Sequence, residues 1–231
     1  MSRVIENFLN VKKELAAACA AAGRSEQDVK LLVVSKTIPV PVLMELYEYG
    51  VREFAENREP ELAMKRAAMP EDIIWHFIGP VQSNKIRKIV RLAHVVHSVE
   101  SLSQLEKFER IAGEEGVAPE ILLEVNVSGE ASKGGITPEE LPALAQTALA
   151  CENLKMRGLM TMAPFEADVS ELTAIFSRLR ELRDEIEAAG KTVLPVLSMG
   201  MSGDFPVAVA CGAAVVRIGS RIFEGIERIP R

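Results

Sequence analysis

The sequence predicts an α/β fold, a single TIM-like (β/α)8 barrel with an extra N-terminal helix. Three observations carry the prediction. Eight short runs rich in Val, Ile, Leu and Met alternate with longer helix-like segments along the chain. Most of these runs are apolar on consecutive residues, the pattern of parallel strands covered on both faces. The length, 231 residues, lies close to the ~250 of typical barrels. A doubly wound open sheet is the rival arrangement of the same elements.

The chain opens with "MSRVIENFLNVKKELAAACAAAG", amphipathic and interrupted by charges, and a helix is expected over about 3–22. Strands follow at 30–36 (KLLVVSK), 53–57 (EFAEN), 73–79 (IIWHFIG) and 95–99 (VVHSV). The second four are 121–127 (ILLEVNV), 154–162 (LKMRGLMTM), 194–201 (LPVLSMGM) and 214–219 (AVVRIG). Helices fit between them at 40–50, 59–69, 83–93, 101–115, 137–150, 169–189 and 204–212. Ser101, the "TPEE" of 137–140 with Pro138 in a first turn, and Asp204 before Phe205-Pro206 are start signals. Gly50, Gly190 and Gly212 stand where C-caps belong. The tail, 220–231, is too short for a full outer helix after the eighth strand, and the N-terminal helix is expected to cover that place. No linker, repeat or low-complexity tract divides the chain, so residues 1–231 are expected to form one domain.

Hydrophobic residues make up 48% and charged residues 26%, enough apolar material for a large core. Lys+Arg of 27 against Asp+Glu of 33 leaves −6, which gives no general attraction to nucleic acid or to anionic membrane. Cys19, Cys151 and Cys211 are far apart and odd in number, so neither a disulfide framework nor a zinc spacing emerges. No stretch has the continuous apolar length of a signal peptide or a bilayer span. A soluble, cytoplasmic protein is expected.

In a barrel the C-terminal strand ends converge on one mouth, where barrel enzymes keep their sites. Those ends are Lys36, Asn57, His76, Ser98, Asn126, Met160, Ser202, Gly219 and Ser220, polar where the strand interiors are aliphatic. Lys36 follows Leu31, Leu32, Val33, Val34 and Ser35, an apolar run expected to favour its neutral, nucleophilic amine. "SMGMSGDF" (198–205) and "VRIGSRIFEG" (216–225) bring glycines to the ends of the seventh and eighth strands, where many barrels hold a phosphate. A lysine facing a phosphate cradle fits a Schiff base with a phosphorylated aldehyde, namely pyridoxal 5′-phosphate (PLP). Plainer readings stand beside these: a lysine that snorkels to solvent, glycines of ordinary turns, and a hydrogen-bonded core histidine at His76.

The sequence also resembles a known family on eight stretches in order: "VSKTIP" (34–39), "FAENREPE" (54–61), "WHFIGPVQSNK" (75–85), "HSVES" (97–101), "VNVSGEASKGG" (125–135), "GLMTMAP" (158–164), "LSMGMSGDF" (197–205) and "VRIGSRIFEG" (216–225). It is similar to the PLP homeostasis proteins, also called the YggS or PROSC family, which are related to the N-terminal barrel of alanine racemase, a fold-type III PLP enzyme. The resemblance implies that Lys36 holds the PLP aldehyde as a Schiff base and that Arg217 faces the pyridine nitrogen. It implies that Ser202 and the Gly219–Ser220 stretch bind the phosphate, and that Asn57 and His76 line the ring. Ala55 stands where the family commonly has glycine, and Pro80 where it often has histidine or arginine. A cationic partner leaves the ring nitrogen unprotonated and restrains carbanion chemistry. The second base of the racemase relatives is a tyrosine from an additional domain, and Tyr47 and Tyr49 lie in the first helix after the first strand. The implied role is intracellular PLP homeostasis without robust catalysis, with delivery to PLP-dependent apo-enzymes and a monomeric state. An amino-acid racemase is the alternative.

Other signals carry less. "GPVQSNK" (79–85) echoes a P-loop without its second glycine and reads better as a Ser83-capped basic helix with a solvated face. His94 and His97 are three apart, which points them to opposite faces of a strand, and no metal site is expected. Met199 and Met201 read as packing, and the charged helix at 170–190 as barrel exterior.

Overall fold

The computed structural model describes residues 1–130 and 134–229. The strands are β1 (Lys30–Val34), β2 (Glu53–Glu56), β3 (Ile74–Phe77), β4 (Val95–Val99), β5 (Glu120–Glu124), β6 (Lys155–Met160), β7 (Val196–Ser198) and β8 (Val215–Ile218). They are parallel and close in sequence order into a barrel. Closure lies at β1 and β8, where Lys30 faces Val215 and Val33 faces Ile218, and this excludes the open sheet. Apart from β4 the strands are shorter than the apolar runs predict, and at β1 and β2 the polar ends Ser35, Lys36 and Asn57 leave the ladder at the mouth.

The outer ring comprises α2 (Val40–Glu48), α3 (Glu59–Ala68), α4 (Ile86–Leu92), α5 (Leu102–Glu115), α6 (Leu141–Leu149), α7 (Val169–Gly190) and α8 (Phe205–Ala210). The N-terminal helix α1 (Arg3–Ala21) packs against both α8 and α2, the two helices that flank the place after β8. Val4, Ile5, Phe8, Val11, Leu15 and Cys19 form its buried face. Asn7 Nδ2 donates to the carbonyls of Ile222 and Glu224, and Arg24 to those of Val209 and Ala213. The eighth helix of the ring is thus supplied from the start of the chain, as expected.

Several helix ends differ from expectation. Residues 138–140 form a turn and α6 starts at Leu141. The Glu140 amide donates to Thr137 Oγ1, and Thr137 donates in return to the Glu140 carboxylate, a capping box one turn early. Gly190 is the last residue of α7, and Lys191 (φ 46°) takes the left-handed cap position. Ser83 caps no helix: residues 83–85 form a 3₁₀ turn and α4 begins at Ile86 without a side-chain cap.

Period-two alternation divides the apolar residues into two compartments. Phe54, Trp75 and Phe77 face outward into the main core between sheet and helices. Leu32, Val34, Ala55 and Val215, with Ile78 and Val196, form a small separate cluster. On that second phase Lys36 continues Leu32 and Val34, Asn57 continues Glu53 and Ala55, and Gly219 continues Val215 and Arg217. One strand phase therefore carries the barrel interior upward into the mouth. Among the described residues no helix is long and apolar enough to cross a membrane.

Candidate functional site

The C-terminal strand ends open on a cavity of about 740 Å³. Lys36, Asn57, Ser202, Arg217, Gly219 and Ser220 all line it. Val34, Ile38, Ile78 and Phe223 supply apolar wall, while Met162, Pro164 and Phe165 come from the loop between β6 and α7.

Lys36 projects from the first residues after β1. Its side chain is exposed at the rim, so the apolar run beneath it anchors the backbone and does not enclose the amine, a correction to the expectation. The backbone around it is held hard. Lys65 of α3, 1% exposed, donates to the Ser35 carbonyl at 2.7 Å and to Glu56 Oε1 at 2.5 Å. Ser35 Oγ donates to the same Glu56 oxygen at 2.6 Å. Thr37 on the other side has φ 65°, a left-handed conformation that costs a β-branched residue roughly 1–2 kcal/mol.

On the neighbouring side of the rim, Ser202 and Gly203 follow β7, and Gly219 and Ser220 follow β8, the strand that pairs with β1. Among the described residues the amides of Ser202, Gly203 and Ser220 have no backbone acceptor. A Cβ at Gly219 would lie 2.8 Å from the Val34 carbonyl oxygen, and one at Gly200 (φ 90°) 2.6 Å from the Ala208 Cβ. These glycines are therefore demanded by close packing of the loops on the barrel rim. The helix that follows, α8, has only six residues, so the hydrogen-bond donors of this edge are loop amides and the two serine hydroxyls more than a helix dipole.

Arg217 forms part of the floor, 4% exposed. It donates from Nη1 to the Ser198 carbonyl and hydroxyl, both at 2.7 Å, and from Nη2 to the Thr161 carbonyl at 2.9 Å. Two of its five N–H groups remain for a ligand. Burial pushes its pKa down to about 10, with Glu124 and Asp204 opposing, so it stays cationic at neutral pH. Glu124 is pushed up to about 7, first by burial and then by Glu100.

His76 does not reach the cavity. It is buried lower in the barrel, between Glu53 (Nε2 to Oε2, 2.9 Å) and His97 (Nδ1 to Nε2, 2.9 Å). This corrects the expectation that it lines a bound ring. The strand at 73–79 was read as ending at the mouth, but His76 sits on the inward phase one inward position below Ile78. Burial pushes the pKa of His76 down, with Glu53 opposing, and that of His97 well below its ordinary value. Ser98 is also turned away, donating to the Gly79 carbonyl, and Asn126 folds onto its own loop through the Glu130 carbonyl and Gly129 amide. Residues 131–133 of "VNVSGEASKGG" lie outside the described residues.

Residues that sequence reasoning did not single out include Ser198, Thr161, Glu53, Glu56 and Lys65, and His97 was weighed only as a metal ligand. Inward-phase counting would have found Glu53, His97 and Ser198, whereas the Lys65–Glu56 pair depends on how α3 lies on the sheet. The basic run of α4 is neutralised: Arg87 pairs with Glu114 and Glu115, Arg91 with Glu115, and Lys85 and Lys88 with Glu59. Tyr47 donates to Asp72, and Tyr49 packs on Phe8, both away from the mouth. Among the described residues no group of three or more His, Cys, Asp or Glu side chains could hold a metal ion.

The model of the alanine racemase N-terminal domain family matches residues 12–225. The pyridoxal phosphate homeostasis protein of Aquifex aeolicus is 39% identical over 219 residues, 94% of this chain and 96% of its own. That of Pseudomonas aeruginosa is 42% identical over 227 residues, 96% of each chain. The solved structure of PipY from Synechococcus elongatus with PLP bound is 35% identical, with a TM-score of 0.80 over 90% of this chain and 99% of that one. By barrel, motif order and full-length similarity, the chain belongs to the alanine racemase N-terminal domain family, among its pyridoxal phosphate homeostasis proteins.

Proposed function

We propose that this protein binds PLP covalently at Lys36 and serves intracellular PLP homeostasis, holding the reactive aldehyde and releasing it to PLP-dependent apo-enzymes. The observation that carries the reading is the donor set around one cavity. A primary amine stands after β1, a donor-only guanidinium on the floor, and three amides with two serine hydroxyls on the adjoining rim after β7 and β8. Those groups match an aldehyde, a ring nitrogen and a phosphate in turn.

When bound, PLP supplies an electron-withdrawing ring whose strength depends on protonation at its pyridine nitrogen. Arg217 keeps its own proton at neutral pH and would offer a donor, not a proton, to that nitrogen. Lys36 would provide the amine for the aldehyde, and the Lys65–Glu56 pair with Ser35 holds the backbone it springs from. Ser202, Gly203, Gly219 and Ser220 would hold the phosphate, and Asn57 would line the ring. The whole site lies within one barrel, in keeping with a monomer, and the −6 charge suits a cytoplasmic protein that binds no nucleic acid. Tyr47 and Tyr49 are far from the mouth, which disfavours the racemase reading.

The test is absorbance of the purified protein with PLP before and after borohydride, followed by peptide mass mapping. The expected result is a visible band bleached by borohydride, a pyridoxyl adduct on Lys36, and loss of both in Lys36→Ala. A colourless protein, or an adduct confined to another lysine, overturns the reading. Solvent deuterium entering the α-position of an amino acid at enzymatic rates would favour the racemase instead.

A further inference from the structure

A line of hydrogen bonds crosses the barrel from its N-terminal face to the mouth. It begins on β1, where Lys30 Nζ lies 2.7 Å from Glu53 Oε1 of β2. Glu53 Oε2 is 2.9 Å from His76 Nε2 of β3, and His76 Nδ1 is 2.9 Å from His97 Nε2 of β4. His97 Nδ1 is 3.0 Å from Ser198 Oγ of β7, which is 2.7 Å from Arg217 Nη1 of β8. Barrel interiors are usually filled by branched aliphatic side chains. Polar groups buried there are costly unless every donor finds an acceptor, and here the links from Glu53 to Arg217 are all made.

With both rings neutral, the carboxylate end dictates the direction. A carboxylate only accepts, so His76 carries its proton on Nε2 and donates to Glu53. Its Nδ1 is then bare and accepts from His97 Nε2–H. The bare His97 Nδ1 in turn takes the Ser198 O–H, while the Ser198 oxygen accepts from Arg217, which only donates. In this order no donor faces a donor. The charges facing the rings are Lys30 on β1, Glu53 on β2, Glu120 on β5 and Arg217 on β8, and burial of both rings opposes a further positive charge.

We propose that Glu53, His76 and His97 are positioning residues for Arg217. They hold the Ser198 hydroxyl turned towards His97, so that its oxygen accepts from the guanidinium and aims the remaining N–H groups at the mouth. The geometry thereby ties the grip on a ligand's ring nitrogen to a carboxylate on the opposite face of the barrel. The inference rests on the reading of the mouth as a PLP site for its ligand, but the proton order can be read in the free protein.

Three histidines are present, so nitrogen-15 spectra of the ligand-free full chain resolve each ring. His94, whose Nδ1 accepts from the Trp75 amide at 2.9 Å, lies outside the line and serves as reference. His76 and His97 should both be neutral at pH 7 with the proton on Nε2. A proton on Nδ1 of either, or a charged ring, overturns the proposal. Glu53→Gln should shift the His97 ring nitrogens, although Glu53 and His97 are joined only through His76, and weaken PLP binding about tenfold, the lower end of what lost outer partners cost a bound group. In a His97→Phe background the same substitution should have no further effect on PLP affinity, because the line is already cut. Additive losses in a folded double variant would show that the residues merely pack. If His97→Phe does not fold, Ser198→Ala cuts the line one link later. Should the wild type take no PLP on Lys36, the functional reading fails, and the histidine spectra still decide the relay.

Discussion

Lys36 owes its placement to neighbours that never touch the cavity. Lys65 and Glu56 form an ion pair with both side chains at or below 1% exposure, and Lys65 also holds the carbonyl of Ser35. The second Glu56 oxygen has no hydrogen-bond partner and is buried, so the pair is only partly satisfied. Removing one member leaves a buried charge alone, typically a loss of 3–5 kcal/mol, whereas replacing both with apolar or neutral groups is far milder. Lys65→Met should therefore lower unfolding free energy by about 3–5 kcal/mol in urea. Glu56→Gln added to it should restore a large part, and a double variant no more stable than the single one would refute this account. In variants that fold, the rate of PLP attachment at Lys36 should fall as well, since the backbone beside it is no longer pinned.

Among the elements, the seam between β6 and β7 is the most exacting. In the β5–β6 ladder Ile121 faces Met156 and Leu122 faces Gly158, so Arg157 is skipped and β6 bulges. Gly158 has φ 156°, and a Cβ there would lie 1.8 Å from the Val196 carbonyl oxygen. Beyond it β7 has three residues and pairs with β8 through Ser198 and Val215. Gly158→Ala must push β6 off β7, a three-residue strand whose other edge has the least pairing in the barrel. The expected cost is on the order of 3 kcal/mol or more, with amide exchange accelerating first in β6, β7 and β8. Exchange rising evenly over the barrel would contradict a local seam. The bulge has a functional side too, because Thr161 and Ser198, which accept from Arg217, sit at the ends of these two strands.

For the molecule as a whole, the titration of Glu124 should contribute to the pH dependence of stability between weak acid and neutral pH. Burial, the nearby Glu100 and the opposing Arg217 leave its pKa near 7, against an ordinary 4.5. A carboxyl whose folded pKa is raised favours the folded state while protonated, so stability is lost as pH climbs from about 4.5 to about 7. Two and a half units correspond to about 3 kcal/mol at most. Glu124→Gln should thus raise the melting temperature at pH 8 and change it little at pH 4.5. An equal shift at both values would mean that the carboxyl is ionised throughout. His76 and His97 act in the opposite sense: their lowered values remove stability as pH falls below about 6.5. The two effects together place the stability maximum in mildly acidic solution, unless a ligand at the mouth engages Arg217 and changes the field on Glu124.

Local chemistry along the chain was enough for the alternation of strands and helices and for the polar strand ends, while closure of β1 on β8 decided the barrel against the open sheet. Continuous apolar runs bounded by turn signals read as covered strands, and strand ends bring Lys36, Asn57, Ser202, Gly219 and Ser220 together, whereas Arg217 is implied only by the resemblance on "VRIG". His76 was misplaced because phase says inward but not how high. Height depends on strand tilt and on bulges such as the one at Arg157, which set the stagger between neighbours. The relay from Glu53 to Arg217 needs five strands in their final register before its atoms come within 3 Å, and the Lys65–Glu56 pair needs α3 laid on β2. Hydrogen bonds between residues far apart in sequence depend on ångström-scale placement, and that placement is a property of the closed barrel, not of any stretch within it.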